Sequence, residues 1–297
     1  MKAPPTARPV YPPLTGVVLH AAKHICRVAV MCTALTLISA PAVIVVADWT
    51  GLDDVDFFAV AATTVYGVTA AVYALFFELC DRTGLFCQYR VERNGQMKNA
   101  EGLKRRAVCR VLFFHGISLG VMYFKEYTDP YPPLRGALPD PCSLLLRFVS
   151  GVVIQFEVMG YAIHYLQHHW GWLYRATHKL HHGFAESVSY ASEYVSLPEI
   201  ILGSFGNYDA FRPCGIAPYL VYIAWRISDT YEVHSGYSFA GTWPSRLGLL
   251  NGHRAVFHDY HHQHPDGNYG ENIFMDFLFG TCDGYLCYMR ERGLPVV

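Results

Sequence analysis

Apolar residues along this chain gather in long runs instead of alternating with polar ones, and the first run, Val28–Ala47, contains no charged residue. A helix needs about 20 mostly apolar residues to cross the hydrocarbon core of a bilayer, so this run predicts a membrane span. Phe57–Leu79 predicts a second, with Glu78 at its end. Ala107–Phe124 is shorter and carries Arg110 and His115, which fits either a span with a snorkelling arginine or a helix lying in the interface. Leu144–Ile163 is long enough to cross but holds Arg147, Gln155 and Glu157. Polar groups at such depth face protein or a wet cavity, not lipid. Between Ser196 and Tyr231, two short apolar pieces, Leu197–Phe205 and Cys214–Trp225, flank GNYDAFRP. That pattern suits a tilted or re-entrant hairpin as well as two spans.

The loops between these runs give an orientation, because lysine and arginine in short loops stay in the cytosol. Lys2, Arg8, Lys23 and Arg27 precede the first span with no acid among them. DWTGLDDVD, between the first two spans, holds four aspartates and no base. The segment 81–106 carries Arg82, Arg90, Arg93, Lys98, Lys104, Arg105 and Arg106. Crossing out at Ala107–Phe124 and in at Leu144–Ile163 then leaves residues 164–182 in the cytosol, and a hairpin over 196–231 returns the chain to that face. The first apolar run begins too late, and runs too long, for the h-region of a signal peptide. The expected architecture is all-α: a proline-rich cytosolic tail (1–27), then one multi-span membrane domain (28–297) with a cytosolic, histidine-rich helical cap.

Composition agrees with a membrane protein. Of 297 residues, 52% are hydrophobic and only 16% charged, with a mean hydropathy of +0.18. A net charge of -1 gives no reason to expect a nucleic-acid partner. The nine cysteines are scattered from Cys26 to Cys287 without a CxxC pair, a pattern of buried thiols and not of a zinc or redox motif. Histidine is the outlier. Of fifteen, six fall in residues 164–182 and five in residues 253–264.

These histidines form three boxes. His164 and His168 make an HxxxH that continues the fourth apolar run, and residues four apart share a helix face. His178, His181 and His182 make an HxxHH, and His258, His261 and His262 repeat it. Within each box one helical turn would offer two or three nitrogens to a common point. Surface or hydrogen-bonded histidines account for His20, His24, His115 and His169, and loop positions for His253 and His264, but neither explains a repeated HxxHH. Imidazole suits zinc, copper, iron and nickel alike. A zinc site takes three or four protein ligands, and eight histidines are twice that number, so two metal ions are the simpler expectation. No HExxH protease motif is present to favour zinc hydrolysis.

The stretch 157–284, with HYLQHHWGWLYRATHKLHH, SEYVSLPE, VHSGY and FHDYHHQHPDGNYGENIFMDFLFGT, resembles the fatty acid hydroxylase/sterol desaturase superfamily of membrane di-iron oxygenases. HSGY, HDYHH, GNY and MDFLFGTCDGY together are most similar to its C4-methylsterol oxidases, and cholesterol 25-hydroxylases share much of the pattern. The resemblance implies two irons per chain. It implies as ligands His164, His168, His178, His181, His182, His258, His261 and His262, with His234 of HSGY as a ninth. Glu157, Asp259 and Asn268 are then expected to orient the ligands, since metal-bound imidazoles usually need a partner on the other nitrogen. It further implies an endoplasmic reticulum membrane, a lipid or sterol substrate, and electrons from cytochrome b5 and its NAD(P)H-dependent reductase, because no GxGxxG nucleotide fingerprint or flavin domain is present.

Gly160, Tyr165 and Ser196-Leu-Pro198 depart from the family pattern and bear on substrate, not on the metals. Sterol side-chain hydroxylation, sterol desaturation and fatty-acyl or ceramide hydroxylation use the same boxes. A zinc-dependent membrane hydrolase is the alternative outside oxygenases, disfavoured by the lack of carboxylate ligands. The orientation has a direct check. Glycosylation acceptors inserted within 48–56 are expected to be modified and one near residue 95 to stay unmodified; the reverse pattern overturns the topology.

Overall fold

The structure, a computed structural model, describes residues 8–91, 100–128, 140–204 and 215–296. Among them the chain is built from helices, and the one β pairing is an isolated bridge between Arg90 and Tyr237. Four helices are long and apolar enough to cross a membrane: α1 (Leu14–Thr50), α2 (Asp54–Thr83), α3 (Ala100–Thr128) and a continuous run made of α4 (Pro141–Gly151), a π-helical stretch (Val152–Met159) and α5 (Gly160–His169). The protein is an integral membrane protein. Local chemistry sets the helix ends. Asp53 caps α2 by accepting the Asp56 N–H at 2.8 Å, and α2 stops at Gly84, whose φ of 74° is a left-handed conformation that glycine adopts without strain. Asp140 caps α4, accepting the Cys142 and Ser143 N–H groups at 3.1 Å each.

The structure changes one sequence expectation and decides between the alternatives of another. Residues 14–27 are not a tail: α1 starts at Leu14 and at 37 residues is about 55 Å long, well beyond a hydrocarbon core. Its first turns stay helical because Val17 packs with Phe257, Tyr260, Tyr285 and Met289 in a cluster at the C-terminal end of the chain. Ahead of it, Tyr11 lies edge-on to Phe277 and bonds to Asp283. Ala107–Phe124, left open between span and surface helix, lies inside a 29-residue α3 that is long enough to cross. Arg110 turns its guanidinium to the Val195 carbonyl at 2.9 Å and so leaves lipid.

The hairpin region resolves into α7 (Leu197–Ser204) and α8 (Ile216–Val233), after the short α6 (Gly171–Leu173). The GNYDAFRP break lies outside the described residues, as does 205–211, one of the two aromatic-rich segments (with 218–231) expected from the sequence to wall the substrate cavity. At eight residues, or about 12 Å, α7 is too short to cross. Helix α8 packs against both α1 and α2, and its Tyr219, Tyr222 and Trp225 join Phe58, Phe148 and Phe156 in the main core. Its C-terminal half carries Arg226, Asp229 and Glu232 into a polar cap. The cap is completed by α9 (Trp243–Arg246), α10 (Arg254–Gln263), α11 (Ile273–Phe279) and α12 (Asp283–Glu291).

One buried ion network ties the cap to α8. Arg254, 4% exposed, donates to Asp229 at 2.5 and 3.2 Å, to the Glu271 carbonyl at 2.7 Å and to its carboxylate at 3.1 Å. The last turn of α2 joins the same side through Tyr237 Oη, which donates to Asp81 at 2.9 Å. The polar ends of the helices, Lys23 and Arg27 on α1, Arg82 on α2, Lys104 on α3 and the histidines of α5, therefore collect at one end of the bundle.

Candidate metal centre

The nine predicted histidines meet at that end in two groups. His164, His168, His178, His182 and His261 form one, and His181, His234, His258 and His262 the other; within each, the ligand atoms lie within 4.8 Å of one another. The expectation that a box serves a common point holds for His164 and His168 but fails for the two HxxHH boxes. The i, i+4 pairs stay together (His164 with His168, His178 with His182, His258 with His262), whereas the i+3 members, His181 and His261, go to the opposite group. On a helix, i+4 is offset by about 40° from i and i+3 by about 60° the other way, so one HxxHH turn fans across two centres. The middle box achieves this on irregular backbone, a π-helical Tyr174–His178 followed by a 3-10 turn at His181–Gly183. His234 arrives from the C-cap of α8.

Most of the imidazoles are fixed through Nδ1. That atom faces the Tyr269 carbonyl in His164 (2.7 Å), the Gly267 carbonyl in His261 (2.6 Å), the Phe184 carbonyl in His262 (2.8 Å), the Thr230 carbonyl in His234 (2.7 Å) and the Glu199 carboxylate in His178 (2.5 Å). A carbonyl can only accept, so in His164, His261, His262 and His234 the proton is assigned to Nδ1 and the lone pair to Nε2; burial pushes Glu199 up to about 8, so its contact with His178 does not fix that ring in the same way.

These Nε2 atoms then face one another. In the five-histidine group the distances are 2.9 Å for His164–His178, 3.0 Å for His178–His182, and 3.1 Å for His168–His182 and for His182–His261. In the four-histidine group they are 3.2 Å for His181–His234, 2.8 Å for His234–His258 and 3.0 Å for His258–His262.

Where two lone pairs oppose one another at such distances they repel unless a cation lies among them. For a metal–nitrogen bond of about 2.1 Å, neighbouring ligands sit about 3.0 Å apart at right angles and about 3.4 Å apart in a tetrahedron. The facing nitrogens of each group are thus close enough together to hold a metal ion, and imidazole donors suit iron among other metals.

Electrostatics agree. Burial, and then the neighbouring imidazoles, hold His178, His181, His182, His234, His258 and His261 well below the usual histidine range. They are kept neutral, as metal ligands must be.

The expected orienting residues stand further out. Glu157 bonds to Asn272; Asp259 accepts the Ser187 N–H at 3.0 Å and the Gln263 amide at 2.7 Å; Asn268 sits at φ 60° and donates to the Phe257 carbonyl at 3.3 Å. They shape the loops that present the carbonyls.

Two acids were missed. Glu199, in the SLPE segment, faces His178. Asp276, in MDFLFGT, accepts the Tyr269 and Gly270 N–H groups at 2.8 and 2.6 Å and the Thr281 hydroxyl at 2.6 Å, and so holds the turn whose carbonyl meets His164. The signal available for both was an acid inside a family-like motif with no other assigned task.

Comparison with known proteins agrees with the geometry. The fatty acid hydroxylase family model matches residues 149–281. The very-long-chain aldehyde decarbonylase GL1-8 of Oryza sativa subsp. japonica is 33% identical over 219 residues, covering 70% of this chain and 78% of its own. The chain belongs to the fatty acid hydroxylase family. Within that family it is also similar to GL1-11 of the same plant, at 32% over 219 residues with 70% and 79% covered, and to methylsterol monooxygenase 2-2 of Arabidopsis thaliana, at 28% over 231 residues with 73% and 83% covered. No solved structure matches. The family relation and the methylsterol oxidase likeness read from the motifs both hold, and family membership makes the chain an oxidoreductase acting on lipid. The decarbonylase relatives add a substrate chemistry that the motifs did not suggest.

The depressed histidines have a measurable consequence. A group whose folded pKa lies below its unfolded value contributes most above the unfolded pKa, and that contribution is lost as pH falls through it. Metal-free protein is therefore expected to lose stability below about pH 6.5, by up to ~1.4 kcal/mol per pH unit for each such histidine. Thermal unfolding between pH 5 and 8 checks this; a midpoint unchanged across that range contradicts it.

Proposed function

We propose that the two histidine groups hold two iron ions and that the enzyme uses dioxygen to oxidise a C–H bond of a membrane lipid, with a C4-methylsterol as substrate. One observation carries the reading. A chamber of about 210 Å³ is lined by His164 and His178 of one group and His181, His234 and His258 of the other, and it shares Ser192, Val195, Glu199, Arg226 and Thr230 with a cavity of about 640 Å³ among α2, α3 and α8. Ligand sites are typically concave, apolar and of this size.

Iron bound at the histidines would supply the oxygen activation needed to break an unactivated C–H bond. The protein's part is placement. Phe114, Ile117, Val121, Tyr219 and Ile223 give the larger cavity an apolar wall that excludes water. The small chamber admits only the reacting end of the lipid, and holding that end near its target is what selects one C–H bond among many. Arg226, paired with Glu271 at 3.3 Å and lying 5.0 Å from the Phe156 ring centroid, stands where the two spaces join. Thr63 Oγ1 is buried on the larger cavity without a hydrogen-bond partner and can meet an oxygen on the lipid. Gly160 leaves room beside Glu271: a Cβ there would come 3.4 Å from its Cγ. Electrons come from cytochrome b5 and its NAD(P)H-dependent reductase, and the centre faces the cytosol of the endoplasmic reticulum.

A second substrate reading, a very-long-chain aldehyde, is favoured by the 32–33% identity to proteins named for that chemistry. Lipid profiles of cells lacking the protein separate the two. The sterol reading expects 4-methylsterols to rise several-fold, with long-chain aldehydes and 2-hydroxy acyl chains unchanged. Flat 4-methylsterols with rising aldehydes overturn it.

A further inference from the structure

A second pocket lies apart from the histidine groups. It has a volume of about 260 Å³ and lies between the first turns of α1 and the connection from Phe239 to Arg254. Lys23, Arg27, Arg246 and Arg254 line it together with His20, His24 and His253, and no carboxylate does. We propose that this pocket binds a phosphate-bearing anion, supplied by the headgroup of an acidic membrane lipid.

The charge balance is the first argument. The nearby acids are already committed: Asp229 and Glu271 to Arg254, and Glu232 to the Asn251 N–H at 2.7 Å. Among the described residues, no carboxylate forms an ion pair with Lys23, Arg27 or Arg246. Three cations thus converge on one small concavity without counter-charge. His24, which also lines the pocket, adds an independent sign, because its Nε2 is buried and has no hydrogen-bond partner. An anion oxygen would satisfy it.

The walls are built, not incidental. Gly248, at φ 80°, packs so closely on α1 that a Cβ there would lie 2.7 Å from the Arg27 Cβ. Gly252, at φ 61°, approaches the Ser245 hydroxyl as closely, and Asn251 donates its amide to the Asp229 carbonyl at 3.2 Å. A side chain at 248 would push the connection off α1 and open the pocket, and one at 252 would crowd Ser245 and Ala240 within the connection itself.

Depth points to the lipid as the source. Lys23 and Arg27 sit immediately before the uncharged run that starts at Val28, which places them at headgroup level, where basic side chains attract acidic lipids. The location also has a consequence for the metal centre. The connection that walls the pocket joins His234 to His258, two members of the four-histidine group. An anion bridging α1 to this connection would steady both.

The test uses full-length, metal-loaded protein in lipid nanodiscs of phosphatidylcholine, of phosphatidylcholine with phosphatidylserine, and of phosphatidylcholine with added inorganic phosphate. Phosphatidylserine is expected to raise the unfolding midpoint, and K23Q/R27Q/R246Q to abolish the gain while keeping its metal. Each cation removed should weaken lipid retention about five-fold. If the triple variant does not fold, R246Q alone, at an exposed position, should still show a five-fold loss, and R246K should restore retention. A gain from inorganic phosphate but none from phosphatidylserine keeps the anion site and overturns the lipid source. No gain from either, or an equal gain in the variants, overturns the proposal.

Discussion

Nine imidazoles, five of them buried, turn Nε2 atoms toward one another at about 3 Å, and wherever two lone pairs meet, the arrangement is costly unless something positive lies between them. Protonation is one solution, but burial and mutual repulsion hold the histidines outside the spans neutral. Cations are the other. The rest of the cap follows from the need to hold that constellation. Backbone carbonyls at Phe184, Thr230, Gly267 and Tyr269 fix four ring tautomers, Asp276 holds the 267–270 turn, and the Arg254 network locks α10 to α8. Irregular backbone is concentrated where a regular helix would misaim a ligand, in the π-helical stretches ahead of His164 and through His178.

The bilayer shapes the other half of the molecule. Four long helices place the polar cap at one end, and α8 threads its aromatic half between α1 and α2 while its charged half reaches the metals' surroundings. Because α8 belongs to both regions, the larger cavity can run from the lipid-facing helices to the histidines along one helix. Membrane order and metal geometry therefore meet on the same residues, Arg226 and Thr230.

Much of this was legible in the sequence, because the signals were periodic or compositional. Long apolar runs gave the spans, box spacing gave eight of the histidines, and the family resemblance of HSGY gave His234 as the ninth. What was not legible depended on tertiary choice. Spacing says that His178, His181 and His182 are neighbours, but only the packing of α10 and α8 around that turn decides that His181 parts from the other two. Glu199 and Asp276 look like ordinary helix acids until the fold sets one against His178 and the other beneath Tyr269. The helical state of residues 14–27 was hidden because a proline-rich, basic start reads as a tail, and its stabilising partners, Tyr260, Tyr285 and Met289, lie at the far end of the chain.

We propose that the two groups hold two ions, with iron as the metal. Elemental analysis of protein purified without chelators or added zinc tests it most directly. The account predicts two irons per chain, with metal content falling in both His181→Ala and His261→Ala because each removes a ligand from a different group. A single tightly held zinc per chain, or full metal content with both histidines replaced, would contradict it.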